Sequence, residues 1–151
     1  MRKNILLYST LIIMFDQISK FLIVRYMNLS ESIRIIRNFF YLTYVQNRGS
    51  AWNLFYGYRW FLVGLSVLAL YVVIKYFLLD EKITKMEKIG YALLIGGISG
   101  NLIDRLFRGY VIDFIDVYLL NYNYPVFNIA DMAIVIGSIM VVVSLLMEAK
   151  K

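Results

Sequence analysis

Four long apolar stretches divide the chain, at residues 5–26, 60–79, 89–107 and 127–147. Each is long enough to be read as a helix crossing about 30 Å of hydrocarbon at about 1.5 Å of rise per residue. The first follows a basic start, Arg2 and Lys3, and carries Asp16 and Lys20 four residues apart, on one helix face. It begins as a secretory leader does but has no small-residue cleavage site, so it is expected to be retained as a span. The second, WFLVGLSVLALYVVIKYFLL, is the most uniformly apolar, and the charged run at residues 80–88 behind it reads as a short solvated turn. In the third, Gly96 and Gly100 with Gly97 beside them make a small-residue face that lets another helix approach closely.

Between the first two stretches the pattern changes. Residues 28–58 are rich in β-branched and aromatic side chains, with Arg34, Arg37 and Arg48 interspersed and Gly49 as a punctuation point. They are too interrupted to span and suit a small sheet or strand pair at the membrane interface, or an irregular aromatic loop. The expected fold class is therefore a membrane all-α protein, four transmembrane helices with a small β-sheet at the interface between the first two spans. Residues 1–151 are expected to form one integral membrane domain.

Composition agrees: of the 151 residues 61% are hydrophobic and one is proline, with a mean hydropathy of +0.68. That is well above the roughly 45–50% apolar content of soluble domains. The sequence has no Cys and no His, which rules out Ser-His-Asp and Cys-His nucleophile systems and His-ligated zinc. Acid or base groups must come from Asp, Glu, Lys, Tyr or a bound metal. The net charge of +6 suits anionic lipid headgroups, and its scattered origin argues against a nucleic-acid partner. Counting Lys and Arg on the two sides barely decides orientation. Mostly unpaired Lys in the short flanks on one side places both termini in the cytoplasm.

With that orientation every intramembrane charge converges on the outer half. Residues 100–131 hold four of the ten acidic residues, Asp104, Asp113, Asp116 and Asp131, with Asp113 and Asp116 expected in a loop. An ionisable group within a span costs about 2.5 kcal/mol or more, which makes function the default reading of such a cluster. Each group also has a plainer reading. Asp16 with Lys20 suits an interhelical ion pair; Asn128 with Asp131 suits a helix N-cap with an acid at N3; Asp104 with Arg105 suits a structural pair at a helix end. Two carboxylates close together in a partly dry site share a proton, so that one serves as base while its partner donates, and no His is required.

The segments DQISK (16–20), NRGSAW (47–52), GGISGNLIDR (96–105), GYVIDF (109–114) and FNIAD (127–131) together resemble, in order and spacing, the boxes of lipoprotein signal peptidase, the type II signal peptidase family of bacteria. The resemblance implies a multi-pass aspartyl endopeptidase of the bacterial inner membrane with four spans and a small periplasmic β-sheet, or cradle, beside an active site that faces the periplasm, working without a metal or other cofactor. Its substrates would be diacylglyceryl prolipoproteins cut just before the lipid-modified cysteine, and a monomer is expected. Carried over by motif position, Asp113 and Asp131 are the catalytic dyad, with Asp16, Lys20, Asn47, Gly49, Asn101, Asp104, Arg105 and Asn128 supporting or shaping the site. The 28–58 segment is then expected to grip an extended substrate by strand addition. Ser19, Ser50 and Trp52 depart mildly from the family pattern.

Two other classes remain open on the residues alone. Gly109, Asp113 and Asp116 faintly match the magnesium-binding boxes of CDP-alcohol phosphotransferases, although the upstream half of that motif is absent. A small proton- or ion-coupled transporter would use Asp16, Lys20 and Asp131, but four spans without an internal repeat suit it poorly.

Overall fold

A computed structural model describes residues 3–50, 52, 54–79, 83–119 and 122–148. Arg2, Ala51, residues 80–82 and the terminal Lys150 and Lys151, all used above, lie outside the described residues. The elements run α1 (Lys3–Tyr26), β1 (Ser32–Ile36), β2 (Phe40–Asn47), α2 (Arg59–Leu79), α3 (Lys85–Phe107), β3 (Val111–Leu119), β4 (Tyr122–Asn123) and α4 (Ile129–Glu148).

Among the described residues three helices are long and apolar enough to cross a membrane: Asn4–Tyr26, Arg59–Leu78 and Ile129–Glu148. They leave many large apolar side chains uncovered, among them Phe15 and Phe21 on α1, Leu68 and Tyr71 on α2 and Ile139 and Leu146 on α4. In water such a surface would aggregate, whereas in lipid it is the solvated face.

The remaining long helix, α3, differs because it is central, packing against α1, α2 and α4. It is therefore surrounded by protein, and it buries Glu87, Asn101 and Asp104 along with its apolar side chains. Thr84 starts it with a capping box: its hydroxyl accepts from Glu87 N at 3.1 Å, and its own N donates to Glu87 Oε2 at 2.8 Å. Small residues allow the close packing. A Cβ on Gly97 would lie 2.5 Å from the Ala130 carbonyl oxygen, and one on Gly137 would lie 2.7 Å from the Gly90 carbonyl oxygen.

The sheet is antiparallel in the order β1-β2-β3-β4. It corrects the expected loop between α3 and α4, because Asp113 and Asp116 sit on strand β3, and half of the sheet comes from after α3 instead of from between α1 and α2. The physical reason lies in VIDFIDVYL, six of whose residues are β-branched or aromatic formers of strand. Its first four residues, Val111 to Phe114, are all buried, which hides the alternation that marks a half-exposed strand. β2 pairs with β3 in the register Tyr41 opposite Asp116 and Val45 opposite Asp113, with a bulge between Leu42 and Val45. One core cluster, Ile23, Met27, Tyr44, Ile112 and Phe114, fastens the sheet to the end of α1.

Candidate active site

Five segments deliver the site: the second half of α1, the end of β2 with the turn behind it, the last turns of α3, the start of β3 and the first turn of α4. The turn from α3 to β3 is sharp. Gly109 adopts φ +85°, a conformation open to glycine at little cost. Arg59, at the start of α2, donates from Nε to Arg105 O and from NH2 to Leu106 O, both at 2.7 Å, and so satisfies carbonyls at the end of α3 that have no partner within the helix.

Asn128 lies at the centre of the arrangement. Its side chain caps α4, with Oδ1 accepting from Asp131 N at 2.9 Å, while its own N donates to Asp131 Oδ2 at 3.2 Å. Its Nδ2 donates to Asp113 Oδ1 at 2.7 Å and to Asn101 Oδ1 at 3.1 Å. Asn101 Nδ2 in turn donates to Asp131 Oδ1 at 2.7 Å. The second oxygen of Asp113 accepts from Asn47 Nδ2 at 2.9 Å. Asn47 Oδ1 accepts from Gly49 N at 2.9 Å, and the Gly49 carbonyl accepts from Arg105 at 3.0 Å. Asp113 and Asp131 thus line one cavity of about 610 Å³ with Asn47, Asn101 and Arg105, a volume suited to a ligand or a short stretch of peptide. Trp52, Tyr56, Tyr124 and Phe127 supply an apolar wall.

Asp113 is 2% exposed. Burial, and after it the charge of Asp131, push its carboxyl up to about 7, against the lowering effect of the Asn47 and Asn128 hydrogen bonds. A carboxyl that titrates near neutrality holds or releases a proton with little cost, which is what acid and base work requires.

Behind the cavity lies a second layer with a fully buried centre. Lys20 Nζ reaches Asp16 Oδ2 at 2.8 Å, Asp104 Oδ2 at 3.0 Å and Asn101 Oδ1 at 3.0 Å, and Lys20, Asp16 and Asp104 are all 0% exposed. Asp16 Oδ1 accepts from Ala130 N at 3.0 Å, tying α1 to the start of α4. Asp104 Oδ2 accepts from Ile112 N at 3.2 Å, tying α3 to β3. Gln17 Nε2 donates to Asp104 Oδ1 at 3.1 Å, and Arg108 pairs with that same oxygen. Asp16, Lys20 and Asp104 therefore do not line the cavity; they sit under it and hold the segments that do.

Three contributors were not singled out from the sequence. Gln17 gave no signal beyond its place beside Asp16. Arg108 stands four residues after Asp104, a spacing that puts both on one helix face. The aromatic wall has no periodic signature, because its members come from two separate segments.

A sequence profile of the signal peptidase (SPase) II family matches residues 8–147. Two solved structures described as bacterial membrane enzymes, at 2.3 and 1.9 Å resolution, are similar in fold. The first has a TM-score of 0.91 at 31% identity, covering 97% of this chain and 90% of that chain. The second has a TM-score of 0.86 at 32% identity, covering 95% and 93%. The chain belongs to the signal peptidase II family, and it is an aspartic-type protease that acts in lipoprotein processing at a bacterial membrane.

Proposed function

From that membership we propose that Asp113 and Asp131 are the catalytic dyad and that the chain cuts diacylglyceryl prolipoproteins immediately before the lipid-modified cysteine. The observation that carries the reading is Asn128, which donates to Asp113 Oδ1 while capping the helix turn that holds Asp131. Two carboxylates held by one residue in one cavity, Asp113 by the Asn128 side-chain amide and Asp131 by its backbone N–H, form a coupled pair that titrates as a unit. The pair shares one proton, and burial with the charge of Asp131 pushes the Asp113 carboxyl up to about 7.

In the proposed reaction a water lies between the carboxylates. Ionised Asp131 takes a proton from it as the hydroxide adds to the scissile carbonyl carbon, and Asp113 passes its proton to the carbonyl oxygen. The tetrahedral diol collapses when the C–N bond breaks: the leaving nitrogen takes the proton from Asp131, and a diol hydroxyl returns one to Asp113. No metal or cofactor enters. Asn47, Asn101 and Asn128 keep the carboxylates in place through both steps, while Gly49 and Arg105 fix the turn that carries Asn47.

The reading includes topology. All four long helices cross the membrane as one integral domain, α3 among them despite its polar residues, since protein surrounds it. Both termini lie in the cytoplasm, and the cavity and sheet face the outer side of the inner membrane. The sheet then cradles the substrate while its acyl chains stay in the bilayer. The chain acts as a monomer on lipid-embedded substrates, and nucleic acid plays no part.

The test is cleavage of a diacylglyceryl prolipoprotein peptide by detergent-purified protein, comparing the wild type with Asp113→Asn and Asp131→Asn, with and without chelator. The expected result is loss of about 10³-fold or more in kcat for either variant with folding intact, and no effect of chelator. Full activity in either variant would refute the dyad.

A further inference from the structure

Strand β1 is open on every residue: Ser32, Ile33, Arg34, Ile35 and Ile36 are all exposed. Half-covered strands alternate, yet here Ile33, Ile35 and Ile36 are 40, 51 and 51% exposed, and Phe39 at the hairpin turn is 46% exposed. Interleaved with them are Arg34 and Arg37, and Arg25 closes α1 just before. Among the described residues none of these three guanidinium groups forms an ion pair or a hydrogen bond. The nearest acid in sequence, Glu31, is occupied by the backbone N and side-chain Nδ2 of Asn28, at 2.8 and 3.0 Å.

The position of this surface identifies what covers it. The sheet is packed on Ile23 and Met27 at the end of α1, a helix long and apolar enough to span. The hairpin therefore stands at the depth where hydrocarbon gives way to headgroups. Apolar side chains interleaved with arginines that form no ion pair among the described residues complement a surface that is apolar beneath and negatively charged above.

We propose that the β1–β2 hairpin binds anionic phospholipids of the bilayer interface. Ile35, Ile36 and Phe39 enter the acyl boundary, and Arg34 and Arg37 bind headgroup phosphates. Because Asn47 ends the same β2 strand, the lipid contact also fixes the height of the cavity above the hydrocarbon. This inference does not rest on the proposed peptidase dyad, and its test reads no activity.

The absence of cysteine permits a clean label. Ile35→Cys, coupled to an environment-sensitive fluorophore, is reconstituted in phosphatidylcholine vesicles holding 20% phosphatidylglycerol, with bromine on the acyl chains of one lipid or the other at equal mole fraction. The expected result is at least about fivefold greater quenching per brominated phosphatidylglycerol, the preference that either arginine alone supplies. The excess falls in 0.5 M salt and is lost in the background Arg34→Gln/Arg37→Gln, with quenching by phosphatidylcholine retained. Equal quenching by both lipids would overturn headgroup binding, and no quenching by either would overturn the membrane contact itself.

Discussion

Replacing Lys20 by Met removes an ammonium from a place where no water can take over its work. Lys20 is fully buried among Asp16 Oδ2, Asp104 Oδ2 and Asn101 Oδ1, at 2.8, 3.0 and 3.0 Å. Met keeps most of the volume and discards the charge. Breaking a buried pair by deleting one partner costs about 3–5 kcal/mol, since a charge is stranded without compensation. Asp104 keeps Arg108, so the stranded group is chiefly Asp16. The cost translates to a fall of about 6–20 °C in Tm for a chain of this length, read from tryptophan fluorescence at one scan rate in one detergent. Adding Asp16→Asn removes the stranded charge and keeps an acceptor for Ala130 N, so the double variant should recover more than half of the loss. Activity should not recover with it. Lys20 and Asn128 both donate to Asn101 Oδ1, which turns the Asn101 amide nitrogen toward Asp131, and without Lys20 that orientation loses one of its two supports. A loss below about 2 °C in Lys20→Met, or no gain on adding Asp16→Asn, would refute the reading of this layer as a charged network.

The raised Asp113 carboxyl predicts a pH dependence whose sign follows from linkage. Between about pH 4 and 7 the folded protein holds a proton that the unfolded chain, at 3.8, has released. Stability therefore falls as pH rises through that window, by about 4 kcal/mol at most, and Asp113→Asn should flatten the slope of Tm against pH; an unchanged slope would remove Asp113 as its source. Gly100→Ala would put a Cβ 2.6 Å from Asp16 Oδ2 and 3.3 Å from the Ala130 Cβ. It should cost up to about 2 kcal/mol net after the gain in helix propensity, whereas Gly64→Ala, with nothing within 4 Å, should stabilise by up to about 1 kcal/mol. Equal Tm shifts in the two alanine variants would contradict the close packing on Asp16.

The helices were legible because hydrocarbon imposes length and composition on any segment facing it. Helix α3 was legible as the third apolar stretch, and its close packing through Gly96, Gly97 and Gly100, whose spacing signals neighbouring helices. β3 was hidden by its environment. A strand buried on both faces loses its period-2 signature, and Asp113 and Asp116 look like loop charges until Asn47, Asn128 and Thr43 are brought against them by long-range pairing. Thr43 Oγ1 donates to Asp116 Oδ2 at 2.6 Å across 73 residues of sequence, and no local pattern records such a contact. The gathering of carboxylates was visible in the sequence as an anomaly of composition. Only the resemblance divided its members, because by residue type and spacing alone Asp16 and Asp104, which lie beneath the cavity, look like Asp113 and Asp131, which line it.

Two readings of Asn128 and Asp131, helix cap or site, turn out to be compatible. The cap fixes the side chain of Asn128 through its oxygen, which leaves the amide nitrogen free to reach Asp113 and Asn101. A residue chosen only to start a helix has a choice of Ser, Thr, Asp or Asn. Among these only Asn carries the cap acceptor and the donor for a carboxylate on another element on two separate atoms, whereas a Ser or Thr hydroxyl must do both from one oxygen. Asp at this position would cap α4 equally well and set a further negative charge against Asp113, and Ser would cap it without reaching across. The identity of this one side chain thus follows from its two tasks taken together, and through it the start of α4 and the buried strand β3 keep a single relative position.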